Sequence, residues 1–177
     1  MDSVRLTLLL ELEMLPEMAF ECPHPLRKVK VGAHHVYAGA AKYLTEKSIA
    51  SEGIELFVPL STATVPVPTG VRVRPAVLPD FGGVTSDWSA VIDELVDELK
   101  QGTILMCCCQ AGHGRTGTLL ASLVSVMEPG IIDPIDTVRH RYCHHAVETT
   151  AQAEAIFALR NQKLPERYRG TFVAEGY

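Results

Sequence analysis

Residues 103–127 read TILMCCCQAGHGRTGTLLASLVSVM, and no other part of the chain constrains its fold as tightly. TILMCC is a continuous apolar run of strand length, which suits a central strand buried on both faces. TGTLLASLVSVM is apolar nearly all round, as a buried helix is, and Glu128-Pro129-Gly130 ends it. Between the two lies a short loop from Cys109 to Arg115 that contains Gly112 and Gly114. A buried strand that turns through glycines straight into a buried helix is a building unit of an α/β domain.

The rest of the chain supplies further units of the same kind. KVKVGAHHVYAG predicts strand and turn, AAKYLTEKSIASEG a helix stopped by Gly53, and IELFVPL a buried strand. The preceding CPHPLRK reads as loop. STATVPVPTG cannot carry a regular hydrogen-bond ladder, and VRVRPAV after it alternates as a strand near a sheet edge does. LPDFGG is a loop. Trp88, Val91, Ile92, Leu95, Val96 and Leu99 then recur at helical spacing, with Gly102 as the stop. Asp133-Pro134 makes an N-cap and N1 pair for the next helix, and Thr149 with Gln152 has capping-box spacing for the last. The N-terminal residues Val4, Leu6, Leu8, Leu10, Leu12 and Met14 alternate as in a half-buried strand, with helix nearly as good a reading. Strands alternating with helices predict one α/β domain with a central, largely parallel sheet flanked by helices.

At 177 residues and 47% apolar, the chain is long enough for one well-buried core and short for two. We therefore expect residues 1–177 to form a single domain, with 1–29 as an N-terminal extension. A net charge of −5 and the lack of a basic run argue against an extended nucleic-acid or anionic-membrane surface, so no nucleic-acid or membrane partner is expected. Any cationic site must be local. Five cysteines, an odd number with three adjacent, do not look like a disulfide framework and fit a reducing cytoplasm. The first residues have glutamates in and after their apolar run, unlike a signal peptide, and no run reaches the roughly 20 residues that span a bilayer.

The loop gives the local cationic site its chemistry. Leaving a strand and entering a helix, the backbone N–H groups of Gln110, Ala111, Gly112, His113 and Gly114 can converge on one point, while the helix N-terminus adds positive potential. The two glycines permit positive φ and close approach to a ligand, and the planar fork of Arg115 can hold two oxygens of a phosphate. At the bottom of this cup the same donors favour a Cys109 thiolate over the thiol. A nucleophile aimed at a bound phosphate is a phosphoryl-transfer site.

CQAGHGRTG resembles the signature loop of the cysteine-based protein tyrosine and dual-specificity phosphatases, Cys-x5-Arg followed by Ser or Thr. The likeness extends over roughly residues 30–160, including VYAG, the helix before the loop and AVETTAQ after it. The resemblance implies that Cys109 attacks phosphorus to form a phosphocysteine, that Arg115 holds the equatorial oxygens, and that the Thr116 hydroxyl assists release of the thiolate. It also implies a general acid on a loop some thirty residues upstream, where Pro79-Asp80 stands at a suitable separation and Leu78 replaces the family's usual tryptophan. Asp80 would protonate the leaving oxygen and then activate water. Asp87 competes, but a helix N-cap explains it more simply. Glu148 and Gln152 fall where the family positions its hydrolytic water, although capping accounts for Gln152 about as well. The implied substrate is a phosphorylated protein, phosphotyrosine foremost, with no cofactor.

One departure concerns the residue before the nucleophile, usually His in the family and here Cys108, which implies a less acidic Cys109. His113 would face the incoming substrate or stand as an exposed rim residue. Cys107 and Cys108 read as strand-core residues. The pairs His34-His35 and His144-His145 lack metal-ligand spacing, so no metal is expected. Arg72 and Arg74 read as solvated strand charges. Two rival functions are a phosphate-binding module without turnover and a rhodanese-like sulfurtransferase; GRTG and LPDFGG favour the phosphatase.

Overall fold

The computed structural model describes residues 22–170, so the alternating segment 4–14 lies outside the described residues. Among these residues five strands form one sheet: β1 (Arg27–Val31), β2 (His34–Ala40), β3 (Leu56–Pro59), β4 (Arg72–Val73) and β5 (Leu105–Cys109). Their order is β1-β2-β5-β3-β4. Only β1 runs antiparallel to its neighbour, joined to β2 by a turn at Gly32, whose φ is +60°. β2, β5, β3 and β4 are parallel. The expected largely parallel sheet is therefore present, and β5 occupies its centre.

Among the described residues, five α-helices connect and cover the strands: α1 (Glu46–Ser51), α2 (Trp88–Lys100), α3 (Gly114–Met127), α4 (Pro134–Arg141) and α5 (Thr150–Ala158). The segment expected as one helix from residue 40 is divided. Ala40 closes β2, Ala41–Tyr43 is a single 3-10 turn, and α1 begins only at Glu46. Thr45 sets that start, because its Oγ1 accepts the Ser48 N–H while Ser48 Oγ accepts the Thr45 N–H, a reciprocal cap that fixes the first turn.

The alternation of β5 divides the core in two. Leu105, Cys107 and Cys109 face a large cluster that includes Trp88, Ile92 and Leu95 of α2, Leu119, Leu120 and Leu123 of α3, and apolar residues of α4 and α5. Met106 and Cys108 face a smaller cluster made by Tyr37, Leu44, Ile49, Ile54 and Phe57, against which Ala63, Val65, Val67 and Val71 pack. Thus the irregular Thr/Pro segment covers sheet surface. Each large side chain buried in these clusters contributes roughly 1.5–3 kcal/mol before conformational entropy is subtracted.

Helix α3 is buried along most of its circumference, and its polar residues are paired. Thr118 Oγ1 donates to Gly114 O at 2.7 Å, Ser125 Oγ donates to Ile156 O at 3.2 Å, and Ser122 Oγ accepts Trp88 Nε1–H at 3.1 Å. Gly117 lets this helix approach the chain after α4; a Cβ there would fall 2.6 Å from Ala146 Cβ. Among the described residues no helix is long and apolar enough to cross a membrane.

Candidate active site

The parallel strands end together, and their C-terminal ends assemble the site. Cys109 closes β5, paired with Ala40 at the end of β2, while Leu60 N–H donates to Cys108 O beyond β3. The chain after β4 continues this registration past its two assigned residues. Arg72, Arg74, Ala76 and Leu78 donate in turn to Glu55, Phe57, Pro59 and Leu60 carbonyls. Buried Leu78 anchors the end of that ladder, and Asp80 emerges two residues later at the same edge as the loop. Asp80 Oδ1 lies 2.9 Å from Arg115 Nη2.

Arg72 and Arg74 do not line the approach. They pair with Glu98 and Glu94 on α2 at 2.6 and 2.7 Å, solvent-facing ion pairs that fasten the edge strand to that helix. Asp87 holds the N-cap position of α2, yet its side chain makes no capping bond. A hydrogen bond from Thr85 lowers its carboxyl pKa. The structure therefore joins Asp80, and not Asp87, to the loop arginine.

Cys109 Sγ lies inside the turn. It accepts the Gly112 N–H at 3.2 Å and the Thr116 Oγ1–H at 3.1 Å, and Thr116 is fully buried. These two donors converge on the sulfur from the loop backbone and from the first turn of α3. Gly112 has φ +80°, and a Cβ on it would fall 2.9 Å from His24 Cβ and 3.1 Å from Ala40 Cβ. Both the conformation and the close packing thus require glycine. Tyr142 OH donates to Gly112 O at 2.7 Å, which holds that carbonyl away from the cup while its N–H faces the sulfur. Gln110 and Ala111 are exposed at the rim, whereas Gly114 is buried. Cys108, one residue before Cys109, points to the opposite face of the sheet, into the smaller cluster.

Glu148 closes one side. Its carboxylate rests on Gly114, where a Cβ would fall 2.0 Å from Oε2. Burial raises its pKa, the Gly114 N–H opposes that rise, and Asp80 reinforces it while Arg115 counteracts it. The residue before it, Val147, has φ +65°, a strained conformation for a β-branched side chain. Arg139 supports that turn, donating to Ala146 O at 3.0 Å and Val147 O at 3.1 Å. Gln152 acts on Glu148 through the backbone: its Oε1 accepts the Glu148 N–H at 2.8 Å, and its own N–H bonds Thr149 Oγ1 at 3.1 Å. The capping reading accounts for that backbone bond, while the buried Gln152 Nε2 has no bonded partner. Thr149 Oγ1 also donates to Gly82 O, tying the Asp80 loop to the start of α5.

His113 departs from both positions expected for it. Its ring turns inward, 4.6 Å from the His24 ring, with Nδ1 3.8 Å from Glu148 Oε1. Burial lowers its pKa, so it adds no charge to the rim near neutral pH. His34 and His35 lie at the opposite end of the sheet, beside a depression that contains none of the loop residues. Tyr142 and His24 were not singled out in the sequence, because their roles come from contacts across 30 and 88 positions of the chain.

No family model matches the chain. Two uncharacterized proteins of Methanocaldococcus jannaschii are 35% and 36% identical over 86 and 85 residues, 48% of this chain in each case. Those matches cover 57% and 52% of the two proteins, so the chain spans about half the length of the curated relatives it matches. Among solved structures, kinase associated phosphatase is 17% identical with a TM-score of 0.65, covering 78% of this chain and 95% of that one. Tk-PTP in its active form is 19% identical with a TM-score of 0.61 (77% and 97%), and human DUSP28 is 16% identical with a TM-score of 0.59 (77% and 95%). The sheet order, the strand–loop–helix at Cys109 and these likenesses together give the chain the fold of the dual-specificity and tyrosine phosphatases.

Proposed function

We propose that the protein is a cysteine-dependent phosphatase that hydrolyses phosphomonoesters, chiefly phosphotyrosine and also phosphoserine or phosphothreonine in proteins. The observation that carries this reading is Cys109 Sγ at the base of a turn, with donors from Gly112 and Thr116 on it and Arg115 paired to Asp80 at the mouth. A tetrahedral dianion entering that mouth meets the backbone N–H groups of the loop, the N-terminus of α3 and the guanidinium of Arg115.

In the first step the Cys109 thiolate forms the S–P bond as the P–O ester bond breaks, and Asp80 gives its proton to the leaving oxygen. In the second, water attacks phosphorus and yields its proton to Asp80, the S–P bond breaks, and inorganic phosphate leaves. Thr116 Oγ1–H supports the returning thiolate. Arg115 changes partner from Asp80 to the phosphoryl oxygens when substrate binds, which frees the Asp80 carboxyl for proton transfer. Gln152 positions Glu148 through its backbone N–H, and Glu148 borders the face from which water reaches the loop.

The combination of Cys109, Arg115 and Asp80 at one mouth disfavours a binding module without turnover, and the phosphatase-type fold disfavours a sulfurtransferase. Phe81, 63% exposed next to Asp80, offers an aromatic surface that suits an aryl phosphate.

The decisive experiment is turnover of an aryl phosphate, with a phosphotyrosine, phosphoserine and phosphothreonine peptide panel, for wild type and Cys109→Ser. Wild-type turnover with loss in the variant, while vanadate or phosphate still binds, is expected, because the serine hydroxyl is not appreciably ionised but the cup remains. Equal turnover by both proteins would overturn the assignment.

A further inference from the structure

Behind the phosphate loop, four residues from three separate segments of the chain bring their metal-ligating atoms within 4.8 Å of one another: Cys22, His24, His113 and Cys143. From Cys22, Sγ lies 3.7 Å from Cys143 Sγ. Two thiolates on one tetrahedral zinc ion, with Zn–S bonds of about 2.3 Å, lie about 3.8 Å apart. His24 is 1% exposed, and neither of its ring nitrogens has a hydrogen-bond partner. His113 Nε2 is likewise buried and unbonded, while its Nδ1 faces Glu148 Oε1.

We infer that Cys22, His24, His113 and Cys143 form a tetrahedral Cys2His2 site for a structural zinc ion, which fastens the segment before β1 and the turn after α4 to the phosphate loop. A buried imidazole with two unpaired nitrogens costs stability unless something accepts its lone pair or its proton. A shared cation gives one ring nitrogen of His24, one of His113 and both thiolates a common partner. Hydrogen bonding within the cluster leaves both ring nitrogens of His24 unpaired, and a Cys22–Cys143 disulfide would leave them so. Two sulfurs and two imidazoles are the donor set of closed structural zinc sites, and the cluster supplies four protein ligands with no position left for water. The Glu148 carboxylate beside His113 Nδ1 has the placement of an outer partner that fixes the ring's tautomer.

The position gives the ion a mechanical consequence. A Cβ on Gly112 would touch His24 Cβ at 2.9 Å, so His24 supports the loop from beneath, and His113 is the loop residue immediately before α3. Zinc would lock both to Cys143. The adjacent pair His144-His145, which attracts attention in the sequence, contributes no ligand to this set. The inference does not depend on the phosphatase reading, since the ion takes no part in the proposed reaction.

The test is metal analysis of the full chain purified under reducing conditions from zinc-supplemented medium, followed by chelation and titration with zinc sulfate or cobalt(II) chloride. About one zinc per chain is expected. The cobalt derivative should show tetrahedral d–d bands and thiolate charge transfer. Cys22→Ser and Cys143→Ser should each weaken metal binding at least about tenfold, whereas Cys109→Ser, outside the set, should bind normally. If a ligand variant fails to fold, the wild-type cobalt spectrum decides. Wild type that takes up neither metal overturns the site. So does a six-coordinate cobalt spectrum without thiolate bands, unchanged affinity in the Cys22→Ser/Cys143→Ser protein, or a Cys22–Cys143 disulfide in anaerobically prepared protein.

Discussion

The Asp80 carboxylate and the Arg115 guanidinium meet at 2.9 Å across the mouth of the loop, with Arg115 largely buried and Asp80 63% exposed. A solvent-facing carboxylate beside a largely buried guanidinium can exchange partners with a bound anion. Asp80→Asn should lower kcat by about 10²–10⁴ for poor leaving groups and remove the basic limb of the pH–rate profile. Asp87→Asn should change neither, because its side chain belongs to the turn before α2. The reverse pattern would transfer the acid role to Asp87.

Arg115→Lys keeps the charge but not the fork. Because a lysine makes a single point contact with a phosphoryl group, kcat/KM should fall by at least about tenfold. Steady-state kinetics with an aryl phosphate measures this, and a value near wild type would exclude Arg115 as the phosphate clamp.

Tyr142→Phe removes the donor to Gly112 O and leaves that buried carbonyl unpaired. The cost should be about 1–3 kcal/mol in a urea unfolding experiment. Inhibition by inorganic phosphate should weaken in parallel, since Gly112 also directs its own N–H at Cys109 Sγ. Unchanged unfolding and unchanged inhibition would show that other contacts hold the turn.

Cys108→His tests the departure before the nucleophile. At 1% exposure among Tyr37, Leu44, Phe57 and Met106, the larger side chain should overpack the small cluster and destabilise the fold by about 1–3 kcal/mol. The pH midpoint of Cys109 alkylation, measured with Cys107 changed to serine, reads the catalytic effect separately. A fall in that midpoint would show that a histidine here stabilises the thiolate through the backbone; no fall would leave Gly112, Thr116 and the helix terminus as its determinants.

Glu98 supplies a pH test of the clamp on the edge strand. Hydrogen bonds from Arg72 and then Thr103 lower its carboxyl pKa from 4.5 to about 2. A carboxyl held below its unfolded value stabilises the native state above pH 4.5, and that contribution disappears as pH falls toward about 2. Glu98→Gln should therefore cost at most about 1 kcal/mol at neutral pH, since the pair faces solvent. The gap from wild type should narrow below pH 4.5. Thermal melts from pH 2 to 7 would show it, and a gap independent of pH would assign the effect to packing.

The sequence by itself determined the strand–loop–helix at Cys109, the parallel sheet and the amphipathic helix from Trp88, because each is written in neighbouring residues: an apolar run, a glycine turn, a 3.6-residue period. It also determined the local caps at Asp133 and Thr149, whose donors and acceptors lie three positions apart. The break between Ala40 and Glu46 was hidden, because no glycine or proline interrupts AAKYLTE and a single threonine decides where the helix begins. Tertiary structure alone decided which aspartate reaches Arg115, since Asp80 and Asp87 are both near enough in sequence and only the ladder along β3 brings one of them to the mouth. It also decided the inward turn of His113, the seat of Glu148 on Gly114 and the meeting of Cys22 and His24 with Cys143. Those relationships have no period and no spacing. They arise because packing the turn after α4 and the segment before β1 against one loop closes sequence separations of 34 to 121 residues, and only the folded chain fixes which side chains then face one another.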